Sequence, residues 1–477
     1  MTDNSIKPQF VIKRAIITAD GFTSSDGTSI ENDVTAMIAE LNIFESLDVP
    51  YLTGNAVIMD TTGLFSDFRF QGTERIEFEI GTGDNENTTA ILKKRFIMTG
   101  IQRKTKTNQN ANSSSFAFNM IDEHGFLGRI NKISKSYNGS LETMVKRILQ
   151  NELGRKVDIS YTGALTEFDE QSAQQNIKCI IPNLTPIDAV RWLTSRITTQ
   201  TGSPYFVYST LVMPDLSGEG DNNTNTEDNE QGCVVRLGNL DTMLQQQPFN
   251  KIPYRYTPQT TTLELDPVSA SYTIKAIDIP ASSSTLQLME KGAVMSQYTN
   301  TDLSTGEVFT TKYTLSKQLK NLKDASVIEK DDTFIQDILD PNFTLNNLNY
   351  QEYNAKKYHT ITSMGTYGNI KGYHDETDEN KFNLKVASRS LFFALKKNPI
   401  SVVVEGMTLI IARAKVGDII DLDIIGDNVD AGETVGQVLD SRYSGNYLIY
   451  DMKHQFTSES HNCILQLYKI ESEEVIE

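Results

Sequence analysis

In RIEFEI, residues 75 to 80, the side chains of Ile76, Phe78 and Ile80 fall on one face and those of Arg75, Glu77 and Glu79 on the other. A period of two is the mark of a β-strand with one dry and one wet side. FAFNM repeats it with Phe116, Phe118 and Met120. The pattern returns at the far end of the chain in SVVVEG (401–406), DIIDLDII (418–425), YLIYDMKHQF (447–456) and CILQLYK (463–469), punctuated by Gly406, Gly417, Gly426 and Gly445. Polar clusters such as GTGDNENTT (81–89) and KTKTNQNANSSS (104–115) are the long hairpin tips between such strands. The chain therefore begins and ends in antiparallel β modules.

Between them the period changes. After the cap candidate Ser140, Leu141, Met144, Val145, Ile148, Leu149 and Leu153 recur at three and four, and Gly154 supplies the stop. Thr185-Pro186 opens a second helix carrying Ala189, Val190, Trp192, Leu193 and Ile197, followed by a strand in PYFVYSTLVM. Residues 256 to about 315 read as strands and 316–350 as a polar, partly helical connector. NLKVASRSLFFALKKN then gives a helix with Leu384, Ala387, Leu391 and Leu395 on one face. At 477 residues the chain exceeds one ordinary core. The reading is a mainly β protein with an α+β insert, in four segments: a β-barrel module over 1–135, a mixed α/β module over 136–255, a β-rich module and connector over 256–382, and a helix plus β-barrel module over 383–477.

The stretch PDLSGEGDNNTNTEDNEQG (214–232) has six carboxylates, no lysine or arginine and one apolar residue, Leu216. It has too little to bury, and 215–232 is expected to be a disordered surface loop. Asp221, Asn223 and Asn225 imitate a calcium loop, but Thr226 stands where the turn glycine belongs and Gly232 where the bidentate glutamate belongs.

The 44 lysines and arginines against 62 aspartates and glutamates leave a formal charge of −18. That balance disfavours a phosphate-gripping surface, whose affinity comes from clustered basic side chains. It suits a surface that nucleic acid passes without sticking. Cys179, Cys233 and Cys463 are odd in number and far apart, indicating neither a disulfide framework nor a zinc site. The polar start MTDNSIKPQF lacks an apolar leader core, which fits folding in a reducing cytosol.

No catalytic signature emerges. The five histidines, His124, His359, His374, His454 and His461, form no H-E-x-x-H, and neither a G-x-S-x-G elbow nor a phosphate-binding glycine loop occurs. His454 and His461 flank a hairpin turn, TSES, and are expected on a sheet surface or turn, with no third ligand near them in sequence. Glu45 and Asp48 flank a strand end and the Pro50 turn, Asp60 opens an Asx-type turn, and Glu77 and Glu79 lie on a wet strand face. The expectation is no catalytic residue, no cofactor and no metal.

The run LNIFESLDVPYLTGNAVIMDTTGL with QGTERIEFEI, and the run SVVVEG, KVGDIIDLDI and YSGNYLIYDMKHQF, resemble central baseplate hub proteins of contractile-tailed bacteriophages. The residues carrying the resemblance are Glu45, Pro50, Gly54, Asp60, Gly72, Gly406, Gly417, Gly445, Tyr447 and His454. The run Ser444-Gly445 through His454 is also similar to the hub portion of type VI secretion spike proteins. What the resemblance implies is a homotrimer whose subunits each contribute two tail-tube-like β-barrels, joining a sixfold tube to a threefold spike and leaving a channel for DNA ejection. Its implied partners are the spike, the tail tube or tube initiator and the tape-measure protein, with baseplate wedge proteins as further candidates. DNA would be met only in transit, and no stable membrane binding is expected. The implied location is the virion baseplate, assembled in the bacterial host cytoplasm. The alternatives are a hub or spike subunit of another contractile injection or type VI particle, and, from another class, a carbohydrate-active or adhesive β protein. Glu77, Glu79, Asp421 and Asp423 are the candidates for an acidic bore lining.

Overall fold

The computed structural model describes residues 10–23, 29–67, 70–82, 91–106, 114–153, 159–161, 177–195, 197–212, 233–256, 270–279, 285–325, 344–345, 348–349, 356–362, 379–397, 399–425, 439–440, 442–458 and 460–470. The acidic stretch 215–232 lies outside them.

The N-terminal unit is built from β1 (Phe10–Thr23), β2 (Ser29–Asp33), β3 (Ile38–Ser46), β4 (Thr53–Asp60), β5 (Arg75–Thr82), β6 (Ile91–Lys106) and β7 (Ser114–Ile121), with short helices α1 (Leu64–Asp67) and α2 (Glu123–Ile130) at its corners. These strands run antiparallel in the order β3-β4-β7-β6-β5-β1-β2. The predicted alternation is obeyed: Ile76, Phe78 and Ile80 are fully buried with Phe116, Phe118 and Met120 in one core. Each such side chain contributes about 1.5–3 kcal/mol by leaving water.

The insert has its own core. It holds β8 (Ser136–Gly139), α3 (Leu141–Leu153), β9 (Ile159–Tyr161), β10 (Ile177–Ile180), α4 (Pro186–Thr194), β11 (Tyr205–Leu211), β12 (Cys233–Asn239) and α5 (Leu240–Leu244). Both predicted caps form: Ser140 Oγ accepts from the Thr143 amide at 3.3 Å, and Thr185 Oγ1 from the Asp188 amide at 3.2 Å. After β13 (Tyr254–Tyr256) and β14 (Ala276–Asp278), the segment read as strands up to about 315 contains a helix, α6 (Thr285–Lys291), before the pair β15 (Met295–Asp302) and β16 (Val308–Thr314). α7 (Leu315–Asp324), β17 (Thr344–Leu345), β18 (Leu348–Asn349), β19 (Lys356–Thr362) and α8 (Glu379–Leu395) follow. Ala387, Leu391 and Leu395 of α8 are buried as expected, with Leu384 half-buried.

The C-terminal unit is β20 (Pro399–Glu405), α9 (Gly406–Ile411), β21 (Ile419–Ile424), β22 (Gly445–Thr457) and β23 (His461–Lys469). Its strands pair β20-β23-β22-β21, and β13 adds to β21 in parallel. Backbone bonds from Arg255 to Tyr272, Ile274 to Arg255 and Lys275 to Val403, with the β14–β20 ladder, carry the ring back to β20. This unit is a closed barrel with no free edge along that circuit. The N-terminal unit curls so that β1 comes against β22.

One strand belongs to both units. Residues 445–448 of β22 pair with β21, and residues 451–457 pair with Ser46 to Glu40 of β3. Between them the β22–β23 register slips at Ile449/Asp451. Such a bulge adds a residue and turns the strand. Before it Tyr447, Leu448, Ile449 and Tyr450 are all buried, and after it burial alternates through Met452, His454 and Phe456. The two units thus form one 13-stranded sheet.

Candidate functional site

Of the residues that carry the hub-like resemblance, Glu45, Gly406 and His454 come together at this seam. Glu45, on β3, is 1% exposed, and its Oε1 accepts from the Leu211 amide at 3.0 Å and lies 3.6 Å from His454 Nε2. His454 and His461 are 0% and 3% exposed. This corrects the surface or turn placement expected for them. Their turn, Thr457 to Ser460, is at the hairpin tip as expected, but both side chains fall on the apolar phase of their strands, beside Phe456 and Leu465. A third donor stands close in sequence after all: Cys463 Sγ is 3.2 Å from His454 Nδ1 and 3.5 Å from His461 Nε2, and those two nitrogens are 3.3 Å apart. Burial opposes charge on His454, yet the Cys463 sulfur and then Glu45 outweigh it and push the ring up to about 10. Burial, then His454, holds His461 well below the ordinary range.

Phe456 stacks on His461 with ring centroids 4.1 Å apart, and Phe10 meets it edge-on. On a further side the backbone of Gly406 is so near that a Cβ there would stand 2.2–2.5 Å from three ring atoms of His461.

Pro50 belongs to a second buried network. Its carbonyl accepts from His124 Nε2 at 2.8 Å. Asp122 accepts the Leu52 amide at 2.6 Å and an ion-paired hydrogen bond from Lys94 of β6; both charged side chains are fully buried. The β3–β4 corner is thereby tied to α2 and to the barrel wall.

Asp60 ends β4 and receives the amides of Gly63 at 2.7 Å, Phe65 at 3.0 Å, and Thr62 and Leu64 at 3.1 Å each. Burial raises its pKa, but the amides of Phe65, Gly63, Leu64 and Thr62 more than offset that and hold it below the ordinary carboxylate range. A depressed folded pKa means that the Asp60 contribution is complete above the unfolded value of about 3.9 and is lost as pH falls through the folded one. Asp60→Ala should therefore cost about 1–3 kcal/mol near neutral pH, and the difference from wild type should shrink below about pH 4. Denaturant melts at pH 7 and pH 3 check this; an equal deficit at both would refute it.

The predicted glycines occupy turns and close approaches. Gly54 lies in β4 opposite Ile43, Gly72 in the turn before Glu74, and Gly417 just before β21. Gly445 opens β22 with φ of +119°, a conformation that L side chains rarely adopt. Tyr447 is buried and donates its hydroxyl to the Tyr443 carbonyl at 2.6 Å.

The four bore candidates separate. Glu77 and Glu79 lie half-buried on the outer face of β5, where Glu79 meets Lys93 at 3.3 Å and Arg14 at 3.9 Å. Asp421 is half-buried on β21, its backbone clasped by the Asn250 amide at 2.9 and 3.0 Å. Asp423 departs from the outward, solvated placement expected of it: it is 6% exposed and bonded by Arg255 at 2.9 Å. The alternation IDLDI was right locally, but β13 lays Arg255 alongside it. Across the outer face of the seam runs a groove of about 450 Å³ lined by Phe44, Ser401, Asp451, Lys453, Ile464 and Gln466 among others.

No family model matches this chain, and no curated protein matches it. Among solved structures it is similar to a tail protein from Neisseria meningitidis MC58, with 11% identity, 97% of each chain covered and a TM-score of 0.48. It is also similar to the 43 kDa tail protein of prophage MuSo2 from Shewanella oneidensis, with 9% identity over 96% of this chain and 98% of that one, at a TM-score of 0.46. A Francisella PdpA–VgrG complex matches at 10% identity over 98% of this chain and 60% of that one, at a TM-score of 0.43. The neighbours are phage tail proteins and type VI secretion complexes.

Proposed function

We propose that the chain is a structural subunit of a phage-tail baseplate hub, acting as a homotrimer between a sixfold tube and a threefold spike. The observation that carries the reading is the side-by-side pair of β units in one chain, fused through β22. Three such chains present six comparable units around an axis while keeping threefold symmetry. A two-unit subunit can match both neighbours without adaptor residues, and closed cyclic assembly is the usual outcome for such interfaces. In this reading the segments divided at 135, 255 and 382 act as modules, with the first and last forming the ring.

The function is mechanical and needs no catalysis. Two of the carboxylates weighed for catalysis, Glu45 and Asp60, are bonded to backbone amides inside the fold. Glu77 and Asp421 stay candidates for the wall of a central bore, where negative charge would repel passing phosphate. Asp423 is withdrawn from that set because Arg255 answers its charge.

Light scattering on the purified chain, alone and with spike protein, tests the reading. A particle of about three times the 53.4 kDa chain is expected. A strict monomer at micromolar concentration in both cases would overturn it.

A further inference from the structure

We propose that Cys463 Sγ, His454 Nδ1 and His461 Nε2 form a three-ligand site for a zinc-class divalent cation, locked into the seam between the two β units. The three donor atoms make a triangle with edges of 3.2, 3.3 and 3.5 Å. Tetrahedral zinc, with Zn–N of ~2.0–2.1 Å and Zn–S of ~2.3 Å, places adjacent nitrogens ~3.3 Å apart and nitrogen and sulfur ~3.6 Å apart. One cation fits a common vertex above that triangle.

The tautomer that a ligating His454 requires has an outer partner in place, and a cation would have to displace the proton that the metal-free ring holds on Nδ1. A neutral imidazole carries one N–H. With His454 protonated at Nε2, that N–H faces Glu45 Oε1 at 3.6 Å, and the Nδ1 lone pair turns toward Cys463 and His461. A carboxylate behind a ligating histidine is the usual outer partner that fixes the tautomer and raises ligand basicity. His454 Nε2, His461 Nδ1 and Glu45 Oε2 are all buried without a hydrogen-bond partner among the described residues. The inner nitrogens thus face each other and the sulfur, a convergence that either a shared proton or a bound cation holds together. The charges also close: a thiolate and the Glu45 carboxylate balance one divalent ion in a site that water cannot reach.

Soft sulfur with two imidazoles suits zinc over magnesium or calcium. The ligands come from the two strands of one hairpin, and Glu45 comes from β3. Bound metal would pin the β22–β23 hairpin at the point where β22 serves both units. Because the site is sealed by Phe10, Phe456 and Gly406, the ion enters as the protein folds. A second cluster, Asp122, His124 and Cys233, carries no such proposal because Lys94 already occupies Asp122.

The test uses the full chain unfolded in chelator and refolded with zinc, with cobalt(II), or with chelator throughout. Expected are about one metal per chain by elemental analysis, a melting temperature several degrees higher than in the chelated protein, and a cobalt spectrum with a thiolate charge-transfer band. Cys463→Ser should abolish that band. The wild-type comparison needs no variant, so it decides the matter even if Cys463→Ser folds poorly. Equal melting temperatures with no stoichiometric metal would mean a thiol–imidazole hydrogen-bonded cluster and overturn the site. A cobalt band that survives Cys463→Ser would place the metal elsewhere and overturn it equally. The outcome is independent of oligomeric state.

Discussion

Lys94→Met should cost about 3–5 kcal/mol of folding stability, a large share of the ~5–15 kcal/mol that holds a typical domain. The lysine and Asp122 are both fully buried and ion-paired, so removing one partner strands the other charge in low dielectric. Asp122 would keep the Leu52 amide at 2.6 Å, with His124 Nδ1 4.0 Å away. Its stranded charge would loosen the Pro50 corner, which His124 fixes from the next turn. The companion double variant Lys94→Met with Asp122→Asn should recover part of the loss, because it removes both charges and keeps an acceptor for Leu52. Urea denaturation of the four proteins in the cycle reads the coupling. A loss below about 1 kcal/mol for the single variant would show that water reaches the pair.

Gly406→Ala is the second large effect, and its sign separates packing from propensity. Gly406 opens α9, where alanine is the better helix former by roughly 1 kcal/mol. Its φ is not positive, so no backbone strain enters. Against this, the added methyl would meet three atoms of His461 at 2.2–2.5 Å, and that ring cannot retreat, being stacked on Phe456 and flanked by Phe10. Overpacking a closed site of this kind costs about 1–3 kcal/mol or more, so packing wins and the variant melts earlier. Pairing it with His461→Ala should make the two losses less than additive. A more stable Gly406→Ala protein would show that the helix start can move aside.

Much of the fold was legible because a strand with one wet face has no freedom in its period. Ile76, Phe78 and Ile80, and the helices capped by Ser140 and Thr185, sit where alternation and capping placed them. The seam was not legible, because β3 meets β22 through pairing that no local pattern encodes. The candidate metal cluster lies between these cases. In YLIYDMKHQF, His454 shares a phase with Met452 and Phe456, and in HNCILQL, His461 and Cys463 share one with Leu465 and Leu467. Burial of all three could have been read from that alternation. That Glu45 would stand behind His454 could not, since it depends on the register of two distant strands. The same non-locality hid the Arg255 partner of Asp423.

The shared strand also sets an order of events during synthesis. β3 is paired on one side with β4 as soon as the N-terminal unit collapses, but its other side waits for residues 451–457. Those residues leave the ribosome about four hundred positions later, roughly 20–80 s at ~5–20 residues per second. Throughout that interval the nascent unit carries an open ladder of amides and carbonyls along residues 40–46, the kind of edge on which other chains can stack. Glu40, Asn42 and Glu45 on that strand keep the waiting edge polar. Residues 451–457 of β22 are thus what seals β3, and a chain cut short of β22 leaves the ribosome with that edge uncovered.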